Sequence, residues 1–190
     1  MTTGRGGRTS IAERRERRAA IDDPDLVLAA AARFLEARSR SVVEVRRRLT
    51  GAGYRPALVE GAIERLTDLG VLDDRAFAEA WIASRDRARP RGERVLRQEL
   101  LQKGIERSLI DELLEQRRTG EEGAATEPDL QAARRLLERN ARSLARVADP
   151  RQRRTKAYAL LARNGFDPDT CREVAAEMVS PEAVDPGHRR

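Results

Sequence analysis

Apolar residues recur three and four positions apart from Asp23 onward, as in Leu28, Ala31 and Leu35 and again in Leu130, Ala133, Leu137 and Leu144. That spacing lines one face of an α-helix. No stretch alternates apolar and polar side chains long enough to make a strand, and Val and Ile are sparse beside Leu and Ala, so the pattern predicts an all-α chain. Proline marks the helix starts. Pro24, Pro56, Pro128, Pro150 and Pro168 each stand just before an apolar-periodic run, where a missing N–H costs nothing. Asp23, Asp149 and Asp167 precede three of them as N-caps, and Ser41 with Glu44 reads as a capping box.

The pattern also repeats. The segments RRRLTGAGYRPALVEGAIERL, RQELLQKGIERSLIDELLEQ and YALLARNGFDPDTCREVAAEM superpose on Gly53, Gly104 and Gly165. Each glycine follows a short helix and suits a left-handed C′ position. An apolar anchor comes next (Tyr54, Ile105, Phe166), then a helix whose inward positions match: Leu58, Leu109 and Thr170; Val59, Ile110 and Cys171; Ala62, Leu113 and Val174. A further helix precedes each unit, over Leu28 to Ala37, Phe77 to Ser84 and Leu130 to Leu144. The expected architecture is three tandem three-helix repeats, over 23–71, 72–117 and 128–179. Units of this size bury little surface alone, so they are expected to stack into an elongated curved array. A disordered basic arm is expected over 1–22, a linker over 118–127 and a disordered tail over 180–190.

Composition narrows the chemistry. Of 190 residues 37% are charged and 3% aromatic, so the core must consist of thin aliphatic layers in which a deep catalytic pocket is hard to build. Cys171 and His188 are the only residues of their types, which excludes a Cys/His zinc cluster and a disulfide framework and fits a reducing cytoplasm. Cys171 aligns with core positions of the other repeats, and Trp81 continues the apolar face begun by Phe77. Asp22-Asp23 and Asp73-Asp74 suit helix starts better than a metal site. No P-loop occurs, and no cofactor is expected. No run approaches a membrane span and the Arg-rich N-terminus lacks a signal's apolar region, so a soluble cytoplasmic protein without membrane contact is expected. No heptad seam appears, and a monomer is expected.

The net charge is +6, and of 38 basic residues only Lys103 and Lys156 are lysine. Guanidinium groups bind phosphate and carboxylate bidentately and stack on bases, so a polyanion or an acidic protein surface is the expected partner. Two clusters stand out: Arg85, Arg87, Arg89, Arg91, Arg94, Arg97 and Lys103 in the centre, and Arg151, Arg153, Arg154 and Lys156 within a basic run from Arg134. Arg91, Arg94 and Gln98 are spaced to share one helix face. Arg46, Arg47 and Arg48 lie between apolar Val45 and Leu49, so at least two must face solvent.

The stretch LDDRAFAEAWIASRDRARPRGERVLRQELLQKGI, Leu72 to Ile105, resembles the signature region of the bacterial RecX family. The match rests on Leu72-Asp73-Asp74, Phe77-Ala78, Ser84-Arg85, the basic turn Arg87 to Arg91, Arg97-Gln98-Glu99-Leu100 and Gln102-Lys103-Gly104-Ile105. The flanks fit as well, through Arg46-Arg47-Arg48-Leu49 with Gly53 and Ala159-Leu160-Leu161-Ala162-Arg163 with Gly165-Phe166. One departure is Pro90-Arg91-Gly92, where family members more often place glycine before proline. The resemblance covers roughly residues 25–179 and implies a crescent of three-helix repeats that lodges against the RecA–single-stranded DNA filament. It further implies that the protein lowers RecA's ATPase and strand exchange and disturbs filament growth without catalysing a reaction. The basic residues above would then contact RecA or single-stranded DNA, with weaker contact to duplex. The competing reading from the residues alone is a helix-turn-helix regulator that prefers a particular duplex. A nuclease, the third reading, lacks clustered carboxylates.

Overall fold

The computed structural model describes residues 10–119 and 128–177, and all secondary structure within them is helical. Ten helices follow in order: α1 Ile11–Ala19, α2 Pro24–Leu35, α3 Val42–Ala52, α4 Pro56–Asp68, α5 Asp74–Ala88, α6 Glu93–Gln102, α7 Arg107–Thr119, α8 Pro128–Ala145, α9 Pro150–Arg163 and α10 Pro168–Glu177. All five singled-out prolines are first residues of helices. The side chains of Asp23 and Asp149 accept from the backbone N–H two residues on, Asp167 accepts from Asp169 and Thr170, and Ser41 and Glu44 close a reciprocal capping box. Helices α2–α4, α5–α7 and α8–α10 are the three three-helix domains.

By contact the chain forms two compact units. The first runs to Phe77 and takes in the turn 103–105; the second holds 78–102 and the residues after 105. In the first, Val27, Ala31, Val45, Leu49, Val59, Ile63, Leu66 and Leu72 pack as one aliphatic core. In the second, Ala132, Ala133, Leu137, Ala157, Leu161, Phe166, Cys171 and Val174 form the core of α8–α10. The matched inward positions behave alike: Val59, Ile110 and Cys171 are all fully buried. Burial also raises the Cys171 thiol pKa, with a smaller push from the charge of Asp167.

Gly53, Gly104 and Gly165 all adopt the left-handed backbone expected of them, with φ of 103°, 83° and 91°. Each is also a site of close approach. A Cβ on Gly53 would lie 2.8 Å from the Arg15 carbonyl oxygen, one on Gly104 would strike the Val43 side chain, and one on Gly165 would lie 2.6 Å from the Val95 nitrogen. Each corner therefore receives an earlier helix, respectively α1, α3 and α6.

One expectation is overturned in part. The arm over 1–22 was expected to be disordered, yet Ile11–Ala19 is helical, begun by a second capping box between Ser10 and Glu13. It is tethered where Arg18 donates to the Ala52 carbonyl at 3.3 Å and sits 5.7 Å from the Tyr54 ring centre. Residues 1–9 of the arm lie outside the described residues, as does the tail over 180–190. Of the expected linker, 118–119 belong to α7 and 120–127 lie outside the described residues.

Candidate functional site

The basic side chains divide into those held by the protein itself and those left to solvent. Arg46 forks onto Glu60 at 2.7 and 2.8 Å, which raises its pKa, while Arg97 bridges Asp111 and Glu93 with the same effect. These two pairs occupy matching positions of the first and second repeats when Gly53 is laid on Gly104. Superposing the repeats would have shown an arginine facing a carboxylate twice, a sign of internal structure. In the third repeat Tyr158 and Arg172 stand at those positions, and the pair is absent.

Arg85 lies with its guanidinium 4.2 Å over the Trp81 ring and donates to Glu99 at 2.6 Å. The indole N–H of Trp81 donates to the same Glu99 oxygen at 2.8 Å. Trp81 is therefore half-buried in a polar cluster and is not the plain core residue its spacing suggests. Lys103 reaches Glu44 at 2.8 Å. Glu44 also accepts from Arg38 and from the Ser41 N–H, and the Ser41 hydroxyl donates to the Lys103 carbonyl at 2.6 Å.

Burial acts to raise the Glu44 pKa, but the hydrogen bonds from Arg38 and Lys103 outweigh it and bring the carboxyl from 4.5 down to about 2. A carboxyl lowered by folding stabilises the fold fully above its unfolded pKa and loses that contribution as pH falls through the folded one. Glu44→Gln is expected to cost roughly 2 kcal/mol at neutral pH. It should also flatten the acid limb of stability between pH 4.5 and about 2. Urea denaturation across that range checks it, and an unchanged acid limb would contradict it.

The turn before α6 departs from the helix-face expectation. Arg91 precedes Glu93, the first residue of α6, so it does not share a helix face with Arg94 and Gln98. Its guanidinium hydrogen-bonds the Asn164 side chain, with its Nε 4.0 Å from Glu99. The order Pro90-Arg91-Gly92 has a steric reason. The Gly92 N–H donates to the Asn164 carbonyl at 3.0 Å, and a Cβ at 92 would collide with the Gly165 carbonyl and the Phe166 nitrogen. Arg94 is exposed yet donates to the Ala162 carbonyl at 2.9 Å, and Arg153 holds the Val147 carbonyl.

Arg47, Arg87, Arg89, Arg151, Arg154 and Lys156 are exposed, and none of them pairs with a carboxylate among the described residues. Arg48 is exposed as well, 5.6 Å from the Phe34 ring centre. The sequence did not point to Arg117, whose side chain is only 9% exposed. It donates to Asp86 at 2.9 and 3.1 Å and to Asp129 at 2.5 Å. Burial would lower its pKa, but the bonds to the two carboxylates prevail and raise it. Arg139, also not singled out, caps the end of α5 by donating to the Arg87 and Ala88 carbonyls.

No group of three or more metal-ligating side chains occurs among the described residues, and no helix there is long and apolar enough to cross a membrane. Fold and surface together define an all-helical protein of three consecutive three-helix domains that exposes unpaired guanidinium groups. Comparison with known proteins resolves the class further. The first, second and third three-helix domains of RecX match residues 28–66, 73–114 and 127–175. "Regulatory protein RecX" of Chlorobium phaeobacteroides (strain BS1) is 35% identical over 149 residues, 78% of this chain and 90% of that one. The protein of the same name from Mycolicibacterium vanbaalenii is 30% identical over 164 residues, covering 83% of each chain. The crystal structure of RecX from Lactobacillus salivarius matches the fold with a TM-score of 0.68 at 20% identity, over 83% of this chain and 97% of that one. The chain belongs to the RecX family of regulatory proteins.

Proposed function

We propose that this protein is a negative modulator of a RecA recombinase: it binds the RecA–single-stranded DNA filament and lowers its ATPase, strand exchange and growth. It acts as a ligand of the filament and catalyses no reaction. The observation that supports this best is family membership across all three domains. The exposed arginines supply a physical means, because guanidinium groups fork onto carboxylates of a protein surface or phosphates of a strand.

The contact residues proposed are those left unpaired: Arg47, Arg87, Arg89, Arg151, Arg154 and Lys156. Arg48 and Arg94 join them as exposed groups with lighter internal ties. Arg46, Arg85, Arg91, Arg97, Arg153 and Lys103 act first inside the fold and contribute to the partner only through the charge they leave at the surface. Charge reversal at Arg97 would set a third carboxylate beside Glu93 and Asp111, so it would test folding before binding.

A cleaner test reverses Arg87, Arg89, Arg151 and Arg154 together to Glu and titrates the protein into a single-stranded-DNA-dependent RecA ATPase assay. Inhibition by the parent chain should survive excess DNA, and the variant should need on the order of tenfold more protein while keeping its helical circular dichroism. Inhibition erased by added DNA would sink the proposal and favour a sequence-reading DNA binder. Such a binder would prefer one duplex over random DNA by several kcal/mol.

A further inference from the structure

A cavity of about 270 Å³ opens in the first unit between α1, α2 and α3, walled by Arg18, Arg33, Arg48, Phe34 and Tyr54, with apolar side chains completing it. No carboxylate lines it. Arg33 and Arg48 are exposed and pair with no carboxylate among the described residues, while Arg18 gives one hydrogen bond to the Ala52 carbonyl. The walls also carry planar groups in contact with one another. Arg18 lies 5.7 Å from the Tyr54 ring centre and Arg48 lies 5.6 Å from that of Phe34, which Arg40 covers at 4.3 Å.

Three guanidiniums without counter-charge around one small cavity favour an anion, since each can fork onto phosphate. The aromatic and guanidinium planes add a second requirement, because flat π-systems stack on such walls. Carboxylates satisfy only the first condition. A nucleotide satisfies both, and its size suits a space somewhat smaller than the about 300–1,000 Å³ of a drug-sized ligand site. The larger cavity of the second unit, about 1000 Å³, differs in kind: its wall combines four arginines with five carboxylates and has no preference for an anion.

We propose that the first-unit cavity binds one nucleotide, its phosphate on Arg18, Arg33 and Arg48 and its base against the planar groups around Phe34 and Tyr54. The nucleotide comes either from a single strand or from the free pool. The site goes beyond filament modulation and is tested without the recombinase, so either reading can fail alone.

The test measures binding of the full chain to a short oligothymidylate carrying one photoreactive thiothymidine, and maps the crosslinked peptide by mass spectrometry. Crosslinks are expected on the peptides holding Phe34 or Tyr54. Arg33→Ala combined with Arg48→Ala should weaken binding about tenfold and lower the log–log salt slope by about 1.4, two contacts on a single strand. Phe34→Leu keeps the apolar volume and should weaken binding about fivefold or more with the slope unchanged. Displacement of the crosslink by thymidine monophosphate identifies a site for free nucleotide; retention of the crosslink identifies a site for a nucleotide within a strand. Affinity unchanged in both variants, or crosslinks confined to α9, overturns the proposal. So does an oligoglutamate that competes as well as the oligothymidylate, because the cavity would then be a dock for acidic protein.

Discussion

Replacing Arg117 by Met is expected to lower the unfolding free energy by about 3 kcal/mol, the penalty for removing one partner of a largely buried ion group. Arg117 of α7 holds Asp86 of α5 through two hydrogen bonds and Asp129 of α8 through a third, and the other Asp129 oxygen accepts from the Glu93 N–H at the start of α6. Without the guanidinium, two carboxylates that are 25% and 21% exposed face each other uncompensated. Adding Asp86→Asn and Asp129→Asn to Arg117→Met should recover most of the loss, because the neutral trio has no stranded charge. Urea denaturation of the three chains decides it. A single-variant loss below about 1 kcal/mol would mean that solvent already satisfies the carboxylates.

The second large effect is steric. Gly92→Ala should destabilise the second unit by roughly 3 kcal/mol, the upper end for overpacking, because the added Cβ meets backbone and not a movable side chain. The contrasting change is Gly61→Ala. Gly61 lies inside α4 with open space at its Cβ position, so that substitution should stabilise by roughly 0.5–1 kcal/mol through helix propensity alone. Thermal unfolding monitored by circular dichroism compares the two. Equal small effects at both positions would show that the turn at 92 yields.

Much of this fold is legible in the sequence because its signals are local. A proline or an Asp opens a helix, a glycine closes one, and the inward positions of three repeats fall on the same register. Helix α1 escaped that reading because IAERRERRA has no apolar stripe and none of its residues is buried. Its one local signal, Ser10 with Glu13, matches Ser41 with Glu44, and the groups that dock it, Gly53, Ala52 and Tyr54, lie over thirty positions away. The candidate surface was less legible for a related reason. Counting charges along the chain marks Arg85, Arg91 and Arg97 as equal to Arg87 and Arg89, whereas pairing to Glu99, Asn164 and Asp111 depends on which helices meet. Only Arg46 and Arg97 carried a sequence clue, in the matching carboxylates of their repeats.

The glycine corners give the chain a polarity. Gly104 seats on the start of α3 and Gly165 on the start of α6, so each of these corners closes only on a helix made before it. Gly53 meets α1 in the same way, so α1 stands to the corner at 53 as α3 stands to the corner at 104. A chain rearranged so that a corner preceded the helix it meets would have to hold that turn open until its partner was made.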